Sequence, residues 1–135
     1  MSKFNYEDRD VSINLLVGKT ISAINKYDDS IVFVCSDGDT FEAYHMQDCC
    51  ETVRVYDVSG NLQSLVGEEI TFVIEDESKE WPNNVPTPDY VDSFTWTTHI
   101  FKTAKNIVTV RWLGESNGYY SESVYFGRTH KPISL

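Results

Sequence analysis

The chain has 135 residues, of which 41% are hydrophobic and 13% aromatic, so it can build one ordinary domain with a buried core. Its net charge of −10 opposes the phosphate backbone, and we expect no direct binding to nucleic acid. No apolar run approaches the roughly 20 residues of a membrane-spanning helix. The polar start, 1–10, is unlike a signal peptide. These features predict a single cytoplasmic domain, 1–135, with a polar N-terminal tail and no membrane contact.

Short alternating apolar runs predict seven or eight β-strands and no long helix. The runs begin at Ile21, Ile31, Thr40, Val53, Ile70, Phe94, Ile107 and Tyr119. Asp37-Gly38 is typical of a hairpin turn. We predict a mainly β fold, either an antiparallel sandwich or a curled, barrel-like sheet, with one or two short helical turns. A roll with one small packed helix is the alternative, and 127–135 is predicted to be a loose C-terminal tail.

A six-residue pattern occurs twice. LVGKTI at 16–21 recurs as LVGEEI at 65–70, displaced by 49 positions. In both copies a short turn that ends at glycine precedes a predicted strand. The pattern indicates either a duplication or two uses of one local way of entering a sheet.

The acidic residues are concentrated in 68–92, where eight acids face one lysine and the net charge is −7. Three prolines and two asparagines predict a long exposed loop over 76–92. Its Trp81 either docks on the domain or faces a partner. The charge either attracts a basic protein surface or serves solubility. The predicted binding residues of this region are Glu75, Asp76, Glu77 and Trp81.

Residues 44–51, YHMQDCCE, concentrate groups that bind metals or act as nucleophiles. A structural zinc site usually needs four ligands, and adjacent cysteines point apart in an extended chain. The acidic flanks oppose formation of a thiolate nucleophile. We therefore predict a structural capped turn, three free thiols, and no metal, cofactor or catalytic residue, with Asp48 as the cap. The motif residues are His45, Asp48, Cys49, Cys50 and Glu51.

Residues 111–122, RWLGESNGYYSE, form the second unusual segment. The two glycines predict a five-residue hairpin loop, 114–118, between strands over 107–113 and 119–126. Aromatic rings beside such a loop suit recognition of a flat ligand or a protein, although cross-strand aromatic pairing is the structural alternative. The predicted binding residues are Trp112, Glu115, Asn117, Tyr119 and Tyr120.

With these motifs the sequence resembles a family of small phage and prophage proteins of unknown function. The likeness rests on YHMQDCCE at 44–51, on LVG at 65–67 followed by a strand, and on WLGESNGYYS at 112–121. The resemblance implies a phage or bacterial origin and supplies neither an activity nor catalytic residues.

We expect a non-enzymatic phage accessory protein that binds and inhibits a host or antiviral-defence protein in the host cytoplasm. One alternative is a protein that sequesters a nucleotide signal through Trp112, Tyr119 and Tyr120, with Arg111 or Arg128. The other is a cysteine- or metal-dependent enzyme built on 44–51.

Overall fold

The structure is a computed structural model that describes residues 6–130. Within them the chain forms eight β-strands and two 3-10 turns, Ile13–Leu16 and Leu62–Leu65. The strands are β1 (Ile21–Lys26), β2 (Ser30–Cys35), β3 (Thr40–Tyr44), β4 (Thr52–Ser59), β5 (Phe72–Ser78), β6 (Ser93–Lys102), β7 (Ile107–Ser116) and β8 (Tyr125–Thr129). The predicted mainly β class is confirmed.

The described strands form two antiparallel four-stranded sheets. The first sheet has the order β1-β2-β3-β8 and the second has the order β4-β7-β6-β5. Neither sheet closes into a barrel, so the sandwich alternative is the correct one. The hydrophobic core lies between the sheets, where Phe33 of β2 contacts Phe101 of β6 with ring centroids 5.3 Å apart.

The two sheets share one construction. In each, three consecutive strands form a meander, β1-β2-β3 or β5-β6-β7, and the fourth strand comes from the other half of the chain. Thus β8 adds to β3, and β4 adds to β7. A shift of four strands maps one sheet onto the other. We call the two connections that exchange these strands the first crossover (45–51) and the second crossover (117–124).

The six-residue repeat lies where the two halves meet. The third residue of each copy is a glycine in the left-handed region, with φ of +89° at Gly18 and +84° at Gly67. The Gly18 N–H donates to the carbonyl of Ile70 at 2.8 Å, and the Gly67 N–H donates to the carbonyl of Ile21 at 2.7 Å. These bonds join equivalent positions reciprocally, so the repeat follows the pseudo-two-fold arrangement of the domain.

The N-terminal segment covers the outer face of the first sheet. Tyr6 is buried, and its ring lies where a side chain on Gly127 would project. The backbone of Asp8 exchanges hydrogen bonds of 3.0 and 2.7 Å with that of Arg128. Residues 6–10 are therefore docked and not a free tail, because Tyr6 packs on the sheet and Asp8 pairs with its edge strand β8. The rest of the predicted tail, 1–5, lies outside the described residues.

The predicted final hairpin is wrong. β7 continues to Ser116, and β8 starts only at Tyr125 and pairs with β3 in the other sheet. Gly114 lies inside β7, where a Cβ would stand 2.5 Å from the carbonyl oxygen of Glu122. That glycine permits the close approach of the second crossover and does not mark a turn.

Two predicted loop boundaries also need correction. The acidic loop begins at 79 and not at 76, because β5 extends through Asp76 and Glu77 to Ser78. An edge strand tolerates these charges, since one of its sides is unpaired. In the predicted C-terminal tail, 127–129 belong to β8, while 131–135 lie outside the described residues.

Candidate functional site

A buried carboxylate organises the first crossover. The Glu51 side chain is fully buried immediately before β4. Its oxygens accept hydrogen bonds from the backbone N–H groups of Asp48 and Cys49, both at 2.9 Å, and face Nε2 of His45 at 2.8 Å. The Gln47 amide donates to the Glu51 side chain at 3.2 Å and to its main-chain carbonyl at 2.7 Å. One side chain thus closes the whole turn.

Glu51 and His45 form a buried hydrogen-bonded pair. Burial would raise the pKa of Glu51, but the hydrogen bonds from His45 and from the backbone of Cys49 and Asp48 outweigh it and lower the pKa to about 2. On the other side of the His45 ring, Nδ1 lies 2.7 Å from the carbonyl oxygen of Ser123. The two ring nitrogens of His45 therefore face one acceptor in each crossover, the Glu51 carboxylate and the Ser123 carbonyl. The pair therefore joins the first crossover to the second.

Two predictions about this motif are corrected. Asp48 does not cap the turn. The Glu51 side chain, which faces inward, accepts the hydrogen bonds from the backbone N–H groups instead, because the turn leads into a strand and not into a helix. Cys49 and Cys50 are exposed and joined in a vicinal disulfide instead of being free thiols, because the chain bends at this pair and is not extended there. Cys35 is a buried free thiol, and burial raises its pKa to about 12.

The second crossover has a buried carboxylate of its own. Glu122 accepts hydrogen bonds from the Thr95 hydroxyl of β6 at 2.7 Å and from the Ser116 hydroxyl of β7. Lys79 lies 3.3 Å from the same carboxylate. Burial raises the pKa of Glu122, but these hydrogen bonds outweigh it and lower the pKa. The two unusual sequence segments therefore converge, and each is built around one buried acid.

The aromatic residues of the second segment do not form the predicted recognition surface. Trp112 points into the core and is 1% exposed, whereas Glu115 lies on the opposite face of β7, because alternate residues of a strand face opposite sides. The Asn117 side chain accepts from the Tyr119 N–H at 2.9 Å and shapes a local turn. Tyr119 is 84% exposed, with its ring centroid 5.1 Å from that of Tyr120. Only these two tyrosines remain together at the surface.

The side of the second sheet that faces away from the core, here called the outer face, is ordered in four rows across β5, β6 and β7. The rows are Phe72-Lys102-Ile107, Ile74-Ile100-Thr109, Asp76-Thr98-Arg111 and Ser78-Trp96-Leu113. Loop 79–92 folds over the fourth row, where Trp81 packs edge-on against Trp96 and Phe94 with ring centroids 5.2 and 5.0 Å apart. Trp81 is therefore docked, while the first two rows stay open.

A pocket of about 390 Å³ lies where loop 79–92 meets the third and fourth rows. Its lining includes Trp81 and Trp96, the charged Glu80 and Arg111, and the hydroxyls of Ser78 and Thr98. This arrangement combines aromatic surface with both signs of charge at an open mouth.

Arg111 is held firmly beside the pocket. Its Nε and Nη2 donate to the two oxygens of Asp57 at 2.8 and 2.5 Å, and its Nη1 donates to Asn84 at 3.1 Å. The guanidinium carbon lies 5.5 Å from the Trp96 ring and 5.7 Å from the Tyr56 ring. The hydrogen bond from Arg111 lowers the pKa of Asp57, so this acid neutralises Arg111 at neutral pH.

A family model described as a domain of unknown function, DUF7448, matches residues 14–126. The chain belongs to the DUF7448 family. The matched range includes both crossovers and all four rows of the outer face. No curated protein and no solved structure matches the chain. Membership of DUF7448 supplies no activity.

The acids predicted as one binding group in this DUF7448 protein separate onto two faces of β5. Glu75 and Glu77 lie on the core side of the strand, where Glu75 faces Nε2 of His99 at 2.8 Å and Glu77 accepts from the Ser123 hydroxyl at 3.4 Å. Only Asp76 shares the outer face with Trp81. Among residues 6–130 no three His, Cys, Asp or Glu side chains converge to hold a metal ion. In the same range no helix is both long and apolar enough to cross a membrane.

Sequence reasoning missed the pocket of this DUF7448 domain. Side-chain alternation predicts only strand positions for Trp96 and Tyr56, and it indicates no role for Asp57. The available signal is that β6, SFTWTTHIFK, carries large side chains on both faces, with Phe94 and Trp96 on one and Phe101 on the other. Such a strand is covered on both sides, by the core and by another segment.

Proposed function

We propose that this protein is a non-enzymatic binding protein that uses its outer face to dock on a protein partner presenting apolar side chains within a basic rim. In line with the resemblance to phage and prophage proteins, we take the partner to be a host or antiviral-defence protein that is inhibited by the binding. The observation that carries this proposal is an open apolar surface on a strongly acidic domain.

The apolar part of this surface consists of Phe72, Ile74 and Ile107 in the first two rows, with Lys102 between Phe72 and Ile107. Phe72 and Ile107 are 50% and 59% exposed, and Ile74 beside them is 38% exposed. Adjacent exposed apolar side chains with a polar surround are typical of interaction sites. β5 is also the edge strand of its sheet, so a partner can reach it from the side as well as from the face.

Charge supports a basic partner. Residues 68–92 carry a net charge of −7, and within the outer face Asp76 follows Ile74 directly in the row order. Glu80 lies in the adjoining pocket. A complementary basic rim would accelerate and orient association, while the apolar rows would supply most of the affinity.

The pocket favours a small ligand as the second candidate function. However, the residues predicted for a nucleotide do not meet, because Trp112 lies in the core and Tyr119 on the second crossover. The acids at the pocket would also repel phosphate. For a cysteine enzyme, both ring nitrogens of His45 already face acceptors, which disfavours His45 as the base for Cys49.

Affinity capture from bacterial lysate tests the proposal. The natural chain is compared with variants on the outer face and with control variants elsewhere on the surface. We expect one protein to be captured by the natural chain and lost with the double variant Phe72→Asp, Ile74→Asp. Reversal of Asp76 and Glu80 to lysine should weaken capture, whereas reversal of the exposed Asp28 and Asp48 is the control with the same change in charge. The captured protein is then assayed for its own activity with and without this domain.

The same experiment separates the two candidate surfaces. Loss of capture with Tyr119→Asp, but not with the Phe72 and Ile74 variant, would move the interface to the second crossover and contradict docking on the outer face. A partner whose activity is unchanged by saturating amounts of this domain would contradict inhibition. Each variant is first checked for an unchanged thermal midpoint.

A further inference from the structure

We infer that the pocket beneath loop 79–92 is a receptor for a guanidinium group, namely an arginine side chain of the protein partner. This rests on the proposed function, because the arginine comes from the basic rim of that partner. The inference names the anchor contact that would fix the position of the partner on the outer face.

The pocket has the shape and chemistry for such a group. The ring of Trp81 stands at 80° to that of Trp96, and because Trp96 is only 3% exposed, Trp81 is the indole that an incoming group would meet. Its volume of about 390 Å³ exceeds what one arginine side chain needs. A planar guanidinium packs on aromatic faces and donates in a fixed fork to carboxylates, which a lysine ammonium does not do.

The molecule already holds one guanidinium on this aromatic cluster. Arg111 stands 5.5 Å from the Trp96 ring and makes a paired contact with Asp57. An incoming arginine would stack on the Trp81 ring, as Arg111 stacks on the Trp96 ring. Its guanidinium would donate hydrogen bonds to an acid, as Arg111 donates to Asp57. The acids available are Glu80, in the lining, and Asp76, beside Thr98 in the third row.

The sign of the local charge favours a cation. Arg111 would repel a second guanidinium, but its charge is neutralised by the paired contact with Asp57. Glu80 is then the acid in the lining, and Asp76 lies next to it on the outer face, beside the lining residue Thr98. An anionic ligand would meet net negative potential there, whereas an arginine would be drawn in.

The three tryptophans provide a direct test by NMR. The ¹⁵N-labelled full chain has three indole N–H signals, and it is titrated with N-acetyl-arginine methylamide. We expect saturable shifts for Trp81 and Trp96 and none for Trp112, which lies in the core between the sheets. The lysine analogue should bind more weakly, and the norleucine and glutamate analogues should produce no saturable shift.

Variants identify the groups responsible. Trp81→Leu should abolish the response, and Glu80→Gln or Asp76→Asn should each weaken it by about two- to fivefold, with a loss of salt dependence. Asp28→Asn, on the turn before β2, is the matched control and should leave the titration unchanged. Equal shifts with norleucine, or no saturable shift at Trp81 and Trp96, would overturn the inference.

The outcome is separable from that of the proposed function. Capture of a partner by a domain that does not respond to the arginine derivative would overturn the guanidinium site and leave docking on the outer face in place. A saturable arginine response without any captured partner would support the site and count against the docking proposal.

Discussion

The two sheets have the same strand construction, but their outer faces are covered differently. In the first sheet β1 and β2 are joined by only three residues, 27–29, and the N-terminal segment lies over the sheet. In the second sheet the equivalent connection between β5 and β6 has 14 residues, 79–92, and it covers one end of the face and leaves the other open. The shared features build the domain, and the departures from symmetry produce its pocket and its open apolar surface.

A charge placed on each outer face tests this difference in cover most directly. Val32, on the outer face of β2, is fully buried, whereas Ile74 of β5 is 38% exposed. We expect Val32→Asp to cost about 4 kcal/mol or more, and Ile74→Asp less than about 1 kcal/mol, in urea unfolding. Similar costs at both positions would mean that the second face is covered as well.

The crossovers are the next test, because both halves use a buried acid there. Glu51→Ala should cost about 3–5 kcal/mol, since it leaves Nε2 of the buried His45 and two backbone N–H groups without their partner. Glu122→Ala should cost less, because its partners are mainly hydroxyls. Asp48→Ala, an exposed acid in the same turn as Glu51, is the control, and a cost for Glu51 as small as that control would refute the role of Glu51.

Gly114→Ala probes the close approach of the second crossover to β7. The added methyl would stand 2.5 Å from the carbonyl oxygen of Glu122, so the crossover must move. We expect a loss of about 1–3 kcal/mol in the free energy of unfolding. Thr109→Ala, on the outer face of the same strand, should change stability by much less. An unchanged midpoint for Gly114→Ala would show that the crossover adapts freely.

The pH dependence of stability tests the role of Glu51 in the first crossover. The pKa of Glu51 is lowered from 4.5 to about 2 on folding, so the unfolded chain takes up the proton first as the pH falls. The stability from ionised Glu51 should be complete above about pH 4.5 and be lost as the pH approaches 2. In urea unfolding at a series of pH values, the difference between the natural chain and Glu51→Gln should shrink across this window. A constant difference would contradict the lowered pKa.

The smallest effect is expected at the cysteine pair. Linking adjacent residues closes the shortest possible loop, so the disulfide removes little entropy from the unfolded chain. Reduction, or the double variant Cys49→Ser, Cys50→Ser, should therefore change the free energy of unfolding by less than about 1.5 kcal/mol. A much larger loss would mean that the pair, and not Glu51, holds the turn.

Local features of the fold were predictable because they depend on neighbouring residues. Alternation placed β2, β4 and β6 correctly, and Asp37-Gly38 forms the predicted turn with φ of +97° at the glycine. The repeat at 16–21 and 65–70 marked the start of each half. In contrast, Gly114 and Gly118 predicted a hairpin because glycine is ambiguous between a turn and a close packing position.

The amino-acid sequence by itself determined the β class, most strands and the entry turn of each half, since side-chain alternation and turn chemistry act over a few residues. Tertiary structure alone decided that β4 and β8 exchange sheets, that Glu51 and Glu122 become buried, and that Trp81 meets Trp96. Each of these depends on contacts between residues far apart in the chain, and which distant strands pair is settled by the burial of the whole core.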